Sequence, residues 1–375
     1  MTTRIAIAGG GLGGLTLARI LHRHGIDAVV YDREANRSAR LQGGSLDLHP
    51  ESGQRALDEA GLGGRFRSAA RPEGEEHRIL DPTGRTLVHH VPRPGSFSGR
   101  PEIDRGALRD LLLDSLPGDT VVWRHRLVAA ERRLDAGWEL TFHDGQRAGC
   151  DILIGADGAR SVVRSLLTDV EMSYVSTVVE LNVEDVDRRH PDLAELVGPG
   201  NLWCVGVNQI LSAQRLGDGS LRVGISLRAE GQPLDTYRSK PALLDIFAGW
   251  APRVTALIEA ADSPPTPRLI EAMPTGTRWA SRPGVTLIGD AAHLMPPVGE
   301  GANQAMLDAA ELAGHLAANP TDANTAIRAY EESMFARIHP IADMSARVQA
   351  MMLSPTAAED IVRFFTRAED PARED

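Results

Sequence analysis

Gly9, Gly11 and Gly14 follow the short apolar run Arg4-Ile-Ala-Ile-Ala8 and open an amphipathic stretch over residues 15–24. That order of strand, glycine turn and helix suits a pyrophosphate. Gly9 permits the tight turn, Gly11 lets backbone N–H groups approach the phosphates, and Gly14 lets the helix pack on the strand, while the helix N-terminus stabilises the negative charge. The next strand, Ala28-Val-Val-Tyr31, ends in Asp32, where a carboxylate can accept the ribose hydroxyls of an adenosine. These residues predict a dinucleotide site.

Two later segments repeat the combination of strand and acidic turn. Asp151-Ile-Leu-Ile-Gly155 runs into Asp157-Gly158, with Arg160 and Arg164 suited to phosphates; an Asp-Gly turn followed by solvated arginines is the alternative. Val285-Thr-Leu-Ile runs into Gly289-Asp290, then His293, a loop holding Pro296, Pro297 and Gly299, and a helix opened near Gly301 and Asn303. Asp290 can accept hydrogen bonds from a ribityl hydroxyl, and the helix from about Gly301 can stabilise negative charge on a reduced flavin ring. A surface loop rich in proline and glycine is the plainer reading of that last segment.

More specific runs join these three: Arg40-Leu-Gln-Gly43-Gly44-Ser-Leu46-Asp47-Leu48-His49, Ser52-Gly53-Gln54, Glu102-Ile103-Asp104-Arg105 with Leu108-Arg109, and Gly289-Asp290-Ala-Ala-His-Leu-Met-Pro-Pro297. Over nearly its whole length the chain resembles the group A FAD-dependent aromatic hydroxylases, and within them the tetracycline-inactivating (TetX-like) flavin monooxygenases, an antibiotic-resistance group. The resemblance implies that Arg40 helps bind NADPH and that Asp47, Arg105 and Asp290 contact FAD. It also implies the reaction: NADPH reduces FAD, O2 adds to the reduced ring at C4a, and the hydroperoxide delivers OH to an electron-rich carbon of a phenol or enol. The cofactor carries that chemistry and the protein keeps the site dry, so no catalytic side chain is assigned; Glu180, Arg222 and His293 are candidates, with His293 the more suited to fixing the loop after Asp290.

The chain departs from the tetracycline enzymes where they place a Gln and a His on the drug's polar edge. Glu180 and Arg222 stand there, and the segment between Pro297 and Gly301 is one residue shorter. Burying either charge alone is costly, so the change implies a differently charged substrate or a Glu180–Arg222 pair that compensates internally. The substrate expected is therefore an aromatic or polyketide-like small molecule. No second glycine fingerprint follows another strand, so NADPH is expected to dock transiently, with Arg40 and the Asp157 region as its contacts and Arg40 and Arg33 placed for its 2′-phosphate. A flavin halogenase lacks support because no Trp-x-Trp-x-Ile run is present, and a Baeyer–Villiger enzyme lacks its Phe-x-Gly-x-x-x-His run. A flavin oxidoreductase without oxygen insertion and a ligand-sequestering flavoprotein remain as alternatives.

The elements that must position these residues are interleaved. Residues 1–60, 96–172 and 262–333 carry the nucleotide-binding features, a Rossmann-like α/β domain. Residues 61–95 and 173–261 read as short antiparallel strands with Gly-rich turns, a sheet roofing a substrate pocket. Residues 334–375 form a helical tail that bridges the two by resemblance, its helices expected over 322–338, 341–353 and 356–367. The 375 residues, 42% hydrophobic, bury a sizeable core, and 40 basic against 51 acidic residues give a net charge of −11 that argues against nucleic acid. No apolar segment reaches the roughly 20 residues that a membrane span needs. Cys150 and Cys204 make neither a metal spacing nor a disulfide framework. A cytoplasmic monomer is the simplest expectation.

Overall fold

The computed structural model describes residues 3–39, 43–92, 99–134, 136–228 and 232–369. Its central sheet is parallel and five-stranded, in the order Val285–Leu287, Ile152–Gly155, Ile5–Ala8, Ala28–Tyr31, Val121–Val122. Three of these strands are buried along their whole length, as unbroken apolar runs must be when helices cover both faces of a sheet. The register pairs Ala8 with Tyr31 and with Gly155, and Gly155 with Leu287. All four strands therefore end at one edge, and the loops leaving it carry Gly9–Gly11, Asp32, Asp157 and Gly289–Asp290. In open parallel sheets that carboxyl edge is where ligands bind.

Helix Leu12–Arg23 packs against Glu300–Ala318, and with Arg105–Leu113 they enclose a core that includes Leu15, Leu17, Ile20, Leu21, Leu108 and Leu112. Helix Gly63–Ala69 joins this core through Leu62 and Phe66, although the sequence reading groups residues from 61 onward with the roof sheet. Cys150 and Cys204 are buried, free thiols.

The second sheet has seven strands, in the order Thr266–Ala272, Ser173–Val183, Leu221–Arg228, Gln209–Arg215, Asn201–Gly206, His77–Leu80, Thr86–His90. Thr266–Ala272, placed by sequence with the nucleotide-binding residues, is its edge strand. Alternation sorts the faces. Val179, Leu181, Val183, Val223 and Ile225 point toward helices Pro191–Val197, Lys240–Ile246 and Pro252–Glu259, a separate hydrophobic core. Register sets two rows across the opposite face: Asn182, Arg222, Gln214, Asn201 and His77, then Glu180, Gly224, Ser212, Trp203 and Ile79.

The tail differs from its predicted break. One helix, Ala323–Met352, runs through Pro340, where a break between 338 and 341 was expected. Proline removes a backbone hydrogen bond at a cost of about 3 kcal/mol. Here its ring lies on the exposed side, while Ile338, Ala342, Ser345 and Gln349 are buried on the other, so packing on both sides of Pro340 keeps the helix continuous. The first half of the helix contributes Tyr330 and Met334 to the nucleotide-domain core. Leu353 and the following helix, Ala357–Glu369, put Ala357 and Ile361 against Ile79, Val205 and Ile210 of the second sheet, so the tail ties the two together. Among the described residues no helix is long and apolar enough to cross a membrane.

Candidate active site

The glycine turn is shaped by what each position excludes. Gly9 has φ +115°, and a Cβ there would lie 2.2 Å from the Ala156 carbonyl oxygen; one on Gly14 would lie 2.1 Å from the Gly9 carbonyl oxygen. Side chains are impossible at both. A Cβ on Gly11 would meet nothing within 4 Å, so this glycine faces open space at the start of helix Leu12–Arg23, which has neither a side-chain cap nor an acidic first turn. Uncapped N–H groups and an open approach are what a pyrophosphate requires. Asp32 is buried behind the turn and accepts hydrogen bonds from Gly10 N–H (2.9 Å) and Glu34 N–H (2.7 Å), keeping acceptor capacity for a ribose. Arg33 is exposed beside it, and Arg40 lies outside the described residues. Buried Arg109 locks the region by donating to Glu34 Oε2 (3.1 Å) and the Arg37 carbonyl (2.9 Å).

Gly289–Asp290 rests on a buried polar network. Gly289 N–H donates to Asp308 Oδ2 (2.7 Å), His293 Nε2 lies 2.6 Å from the same oxygen, and Arg337 donates to Asp308 Oδ1 (2.7 Å). Burial pushes the Asp308 carboxyl up, but His293 and Arg337 outweigh it and bring it down to about 2. His293 thereby fixes the loop from below; its Nδ1 is buried with no hydrogen-bond partner among the described residues. The Asp290 carboxylate, by contrast, is exposed and makes no side-chain hydrogen bond among the described residues. It faces Gly301, whose Cβ would lie 3.7 Å from Asp290 Oδ1. Pro297 and Gly299 are also exposed, and helix Glu300–Ala318 opens there without a side-chain cap. An unpartnered acceptor beside an uncapped helix N-terminus fits a ribityl chain and a ring that becomes negative on reduction.

Asp157 and Asn303, both read from sequence as cofactor contacts, hold backbone in this structure. Asp157 accepts from Val162 N–H (2.7 Å), Val163 N–H (3.3 Å) and the Ser161 hydroxyl (2.5 Å), closing its own turn; burial nonetheless pushes its carboxyl up. Asn303 accepts from His49 N–H (2.9 Å) and donates to the Asp47 carbonyl (2.9 Å), clamping the 45–49 segment to helix Glu300–Ala318. Arg164, expected at a phosphate, is buried and donates to the Asp290 (3.1 Å) and Ala291 (3.2 Å) carbonyls. It ties the Asp157 turn to the Gly289 turn instead. Its position in the sequence carries no sign of this, because the Asp290 and Ala291 carbonyls lie more than a hundred residues away, although it also donates to the nearby Ala159 carbonyl.

Strand Ser45–Asp47 pairs with Glu102–Asp104, bringing Asp47 and Arg105 to the cleft. Arg105 N–H donates to the Gly44 carbonyl (3.0 Å), and a Cβ on Gly299 would lie 3.7 Å from Asp47 Oδ1. Gly44 meets the roof: a Cβ there would fall 2.1 Å from Gln214 Oε1 and 3.3 Å from Arg222 Cδ. The candidate substrate residues thus lie beside the loop that carries Asp47. Glu180 pairs with Arg222 (2.5 Å) and with Arg268 (2.6 Å), and Arg222 donates to Asn182 Oδ1 (3.4 Å). The pair compensates internally, with Arg268 a third member that sequence reading missed; cross-strand pairing with Val178 places it there. Gln214 was also missed, although strand alternation sets it on the face of Arg222.

The comparisons agree with this geometry. A family model described as an FAD binding domain matches residues 2–212 and 252–344. The chain is 33% identical over 350 residues to the 3-amino-4-hydroxybenzoate 2-monooxygenase PtmB3 of Streptomyces platensis, covering 90% of this chain and 85% of that protein. Its fold matches Klebsiella pneumoniae HpxO, solved with FAD and uric acid, at a TM-score of 0.79 and 24% identity over 96% of this chain and 92% of that one. It matches the tetracycline destructase Tet(51) at a TM-score of 0.73 and 20% identity, over 98% and 96% of the respective chains. With the glycine turn, the open Asp290 and the match over most of its length, this chain belongs to the FAD-binding-domain family and is a flavin-dependent monooxygenase.

Proposed function

We propose that the enzyme uses NADPH and O2 to hydroxylate an electron-rich aromatic or enolic small molecule, tetracycline or a related polyketide-like compound among them. Bound FAD would supply the redox chemistry, passing electrons from NADPH to O2 so that one oxygen atom enters the substrate and the other leaves as water. Gly9, Gly11 and Gly14 admit the pyrophosphate, Asp32 the adenosine ribose, Asp290 the ribityl chain, and Pro297, Gly299 and Gly301 border the ring. Asp47 and Arg105 complete the cofactor's border. Arg33 and Arg40 serve a docked NADPH.

One observation carries the substrate reading: Arg222, paired with Glu180, lies beside Gly44, and the exposed Arg268 of the edge strand pairs with the same carboxylate, two cations to one carboxylate. The excess positive charge favours a phenolate or enolate oxygen, the ionised form whose ring is most electron-rich. It does so without an isolated buried charge. Fold likeness to a tetracycline destructase supports the multi-ring end of this class, and relatedness to an aminohydroxybenzoate monooxygenase supports the single-ring end. The test is NADPH oxidation by the FAD-loaded protein with tetracyclines, anthraquinones and simple phenols. Stimulation by one class above the ligand-free rate is expected; tight ligand binding with no stimulation across the panel would replace this reading with ligand sequestration.

A further inference from the structure

Against the 292–294 segment, two residues past Asp290, lies a chamber of about 250 Å³ whose apolar walls include Met273, Leu294, Met334, Phe335 and Ile338. None of its lining comes from the strands of the roof sheet, whose edge strand stops at Ala272; the walls are the turn after that strand, the 292–294 segment and the middle of helix Ala323–Met352. A water molecule takes up about 30 Å³ and native cores rarely leave voids larger than that, while sites for drug-sized ligands begin near roughly 300 Å³. The volume therefore suits a single ring. Backbone carbonyls fix its walls: Met273 N–H donates to the Leu294 carbonyl (2.8 Å), and the Thr277 hydroxyl donates to the Pro274 carbonyl (2.6 Å), closing the turn that forms the rim.

Three ionisable side chains border this apolar space. His293 is buried, and its Nε2 is spent on Asp308 Oδ2 (2.6 Å). The Asp308 carboxylate, brought down to about 2, can only accept, so Nε2 carries a proton; Nδ1, buried with no hydrogen-bond partner among the described residues, is then an acceptor whenever the ring is neutral. Leaving such an atom unmet costs about 1–3 kcal/mol, and a ligand hydroxyl would meet it. Arg278, exposed at the rim, lies over the Phe335 ring with its guanidinium carbon 4.9 Å from the centroid, and forms no ion pair among the described residues. His339, the third, is exposed, with Nε2 3.6 Å from Asp343 Oδ2. Arg278 is thus an unneutralised cation at the mouth of an apolar chamber, a setting for a carboxylate.

We propose that this chamber is a second small-molecule site, separate from the substrate cleft, for a monocyclic organic acid: the ring packs among Met334, Phe335 and Ile338, the carboxylate pairs with Arg278, and a ring hydroxyl donates to His293 Nδ1. The assignment goes beyond the function proposed above and does not depend on it. Calorimetric titration of the FAD-loaded protein with trans-4-hydroxycyclohexanecarboxylate tests it; a saturated ring offers no electron-rich carbon, so binding is read without turnover. Removing the hydroxyl, as in cyclohexanecarboxylate, should weaken binding about fivefold, and replacing the carboxylate by its amide should weaken it about tenfold. Arg278→Ala should weaken the hydroxy acid about tenfold and Thr277→Phe, which fills the chamber, by about tenfold or more, whereas Arg222→Ala in the substrate cleft should leave its affinity unchanged. Arg278 is exposed, so its variant keeps the test decisive should Thr277→Phe fail to fold. No binding of the acid, an affinity indifferent to Arg278→Ala, or an affinity lost in Arg222→Ala and kept in Arg278→Ala, which puts the acid in the substrate cleft, would overturn the proposal.

Discussion

At the scale of single residues, the contrast between Asp290 and its neighbours decides the most. Asp308 and Arg164 are engaged within the chain and His293 is held through Nε2, whereas the exposed Asp290 carboxylate makes no side-chain hydrogen bond among the described residues. A residue exposed and unbonded in the protein alone contributes little to stability, so its removal should be felt only by the cofactor. Asp290→Ala is expected to lower FAD affinity by about tenfold or more, the loss of one or two hydrogen bonds to an ionised group, with a thermal midpoint for the cofactor-free protein close to that of the parent. Titration of FAD by flavin fluorescence, with a melting curve on the apo form, checks both parts. Full FAD affinity in the variant would remove Asp290 from the site. The sequence made Asp290 legible because a strand ending in Gly-Asp before a proline loop carries its meaning locally. Arg164, Asn303 and Arg268 were not legible in their roles, since each acts on partners brought near only by the fold.

At the scale of elements, the strand, turn and helix at the N-terminus separate binding from folding. Gly11 and Gly14 look alike in the sequence, but a Cβ at Gly14 strikes the Gly9 carbonyl and one at Gly11 enters empty space. Gly14→Ala should push helix Leu12–Arg23 off its strand and destabilise the protein by about 1–3 kcal/mol, as overpacking does. Gly11→Ala, at an extended backbone position with φ −77°, should fold normally and still lose FAD, because the methyl group stands where the pyrophosphate approaches. Denaturation midpoints and FAD content measured on the pair would reverse this assignment if Gly11→Ala proved the less stable. The sequence pattern found the strands Ile5–Ala8, Ala28–Tyr31, Ile152–Gly155 and Val285–Leu287 and this helix, together with Asn201–Gly206, Gln209–Arg215 and Leu221–Arg228 of the second sheet, but put Thr266–Ala272 with the nucleotide-binding residues. It missed the continuity of Ala323–Met352 because the Pro340 signal is local and the burial that overrides it is tertiary.

At the scale of the whole molecule, the seam between the nucleotide domain and the roof sheet holds a buried acid. Glu102 accepts from Asn201 Nδ2 of the roof (3.1 Å) and from the Ser45 hydroxyl, with Asp47, Asp104 and Arg71 around it. Burial, with the Asp47 charge adding to it, pushes its carboxyl up from 4.5 to about 7. Because the folded form holds this proton more tightly, Glu102 contributes stability that is fully present below the unfolded value and is lost as pH rises through 4.5 to about 7, up to about 3 kcal/mol. Glu102→Gln keeps both hydrogen-bonding positions and removes the titration. The variant should therefore lose much less stability than the parent between about pH 5 and about pH 8, read from denaturant midpoints. An unchanged pH dependence would place the titrating group elsewhere.

Two domains joined through this seam and capped by the C-terminal helices enclose a cleft whose floor fits FAD and whose roof carries Glu180 and Arg222. The central claim is that oxygen from O2 ends up on a molecule held in that cleft. The direct measurement is the product mass from the best NADPH-stimulating ligand, turned over under ¹⁸O₂ and again in H₂¹⁸O. One labelled atom from the gas and none from the water is the result this account predicts; a product without gas-derived oxygen, with NADPH consumed and peroxide accumulating, would contradict it.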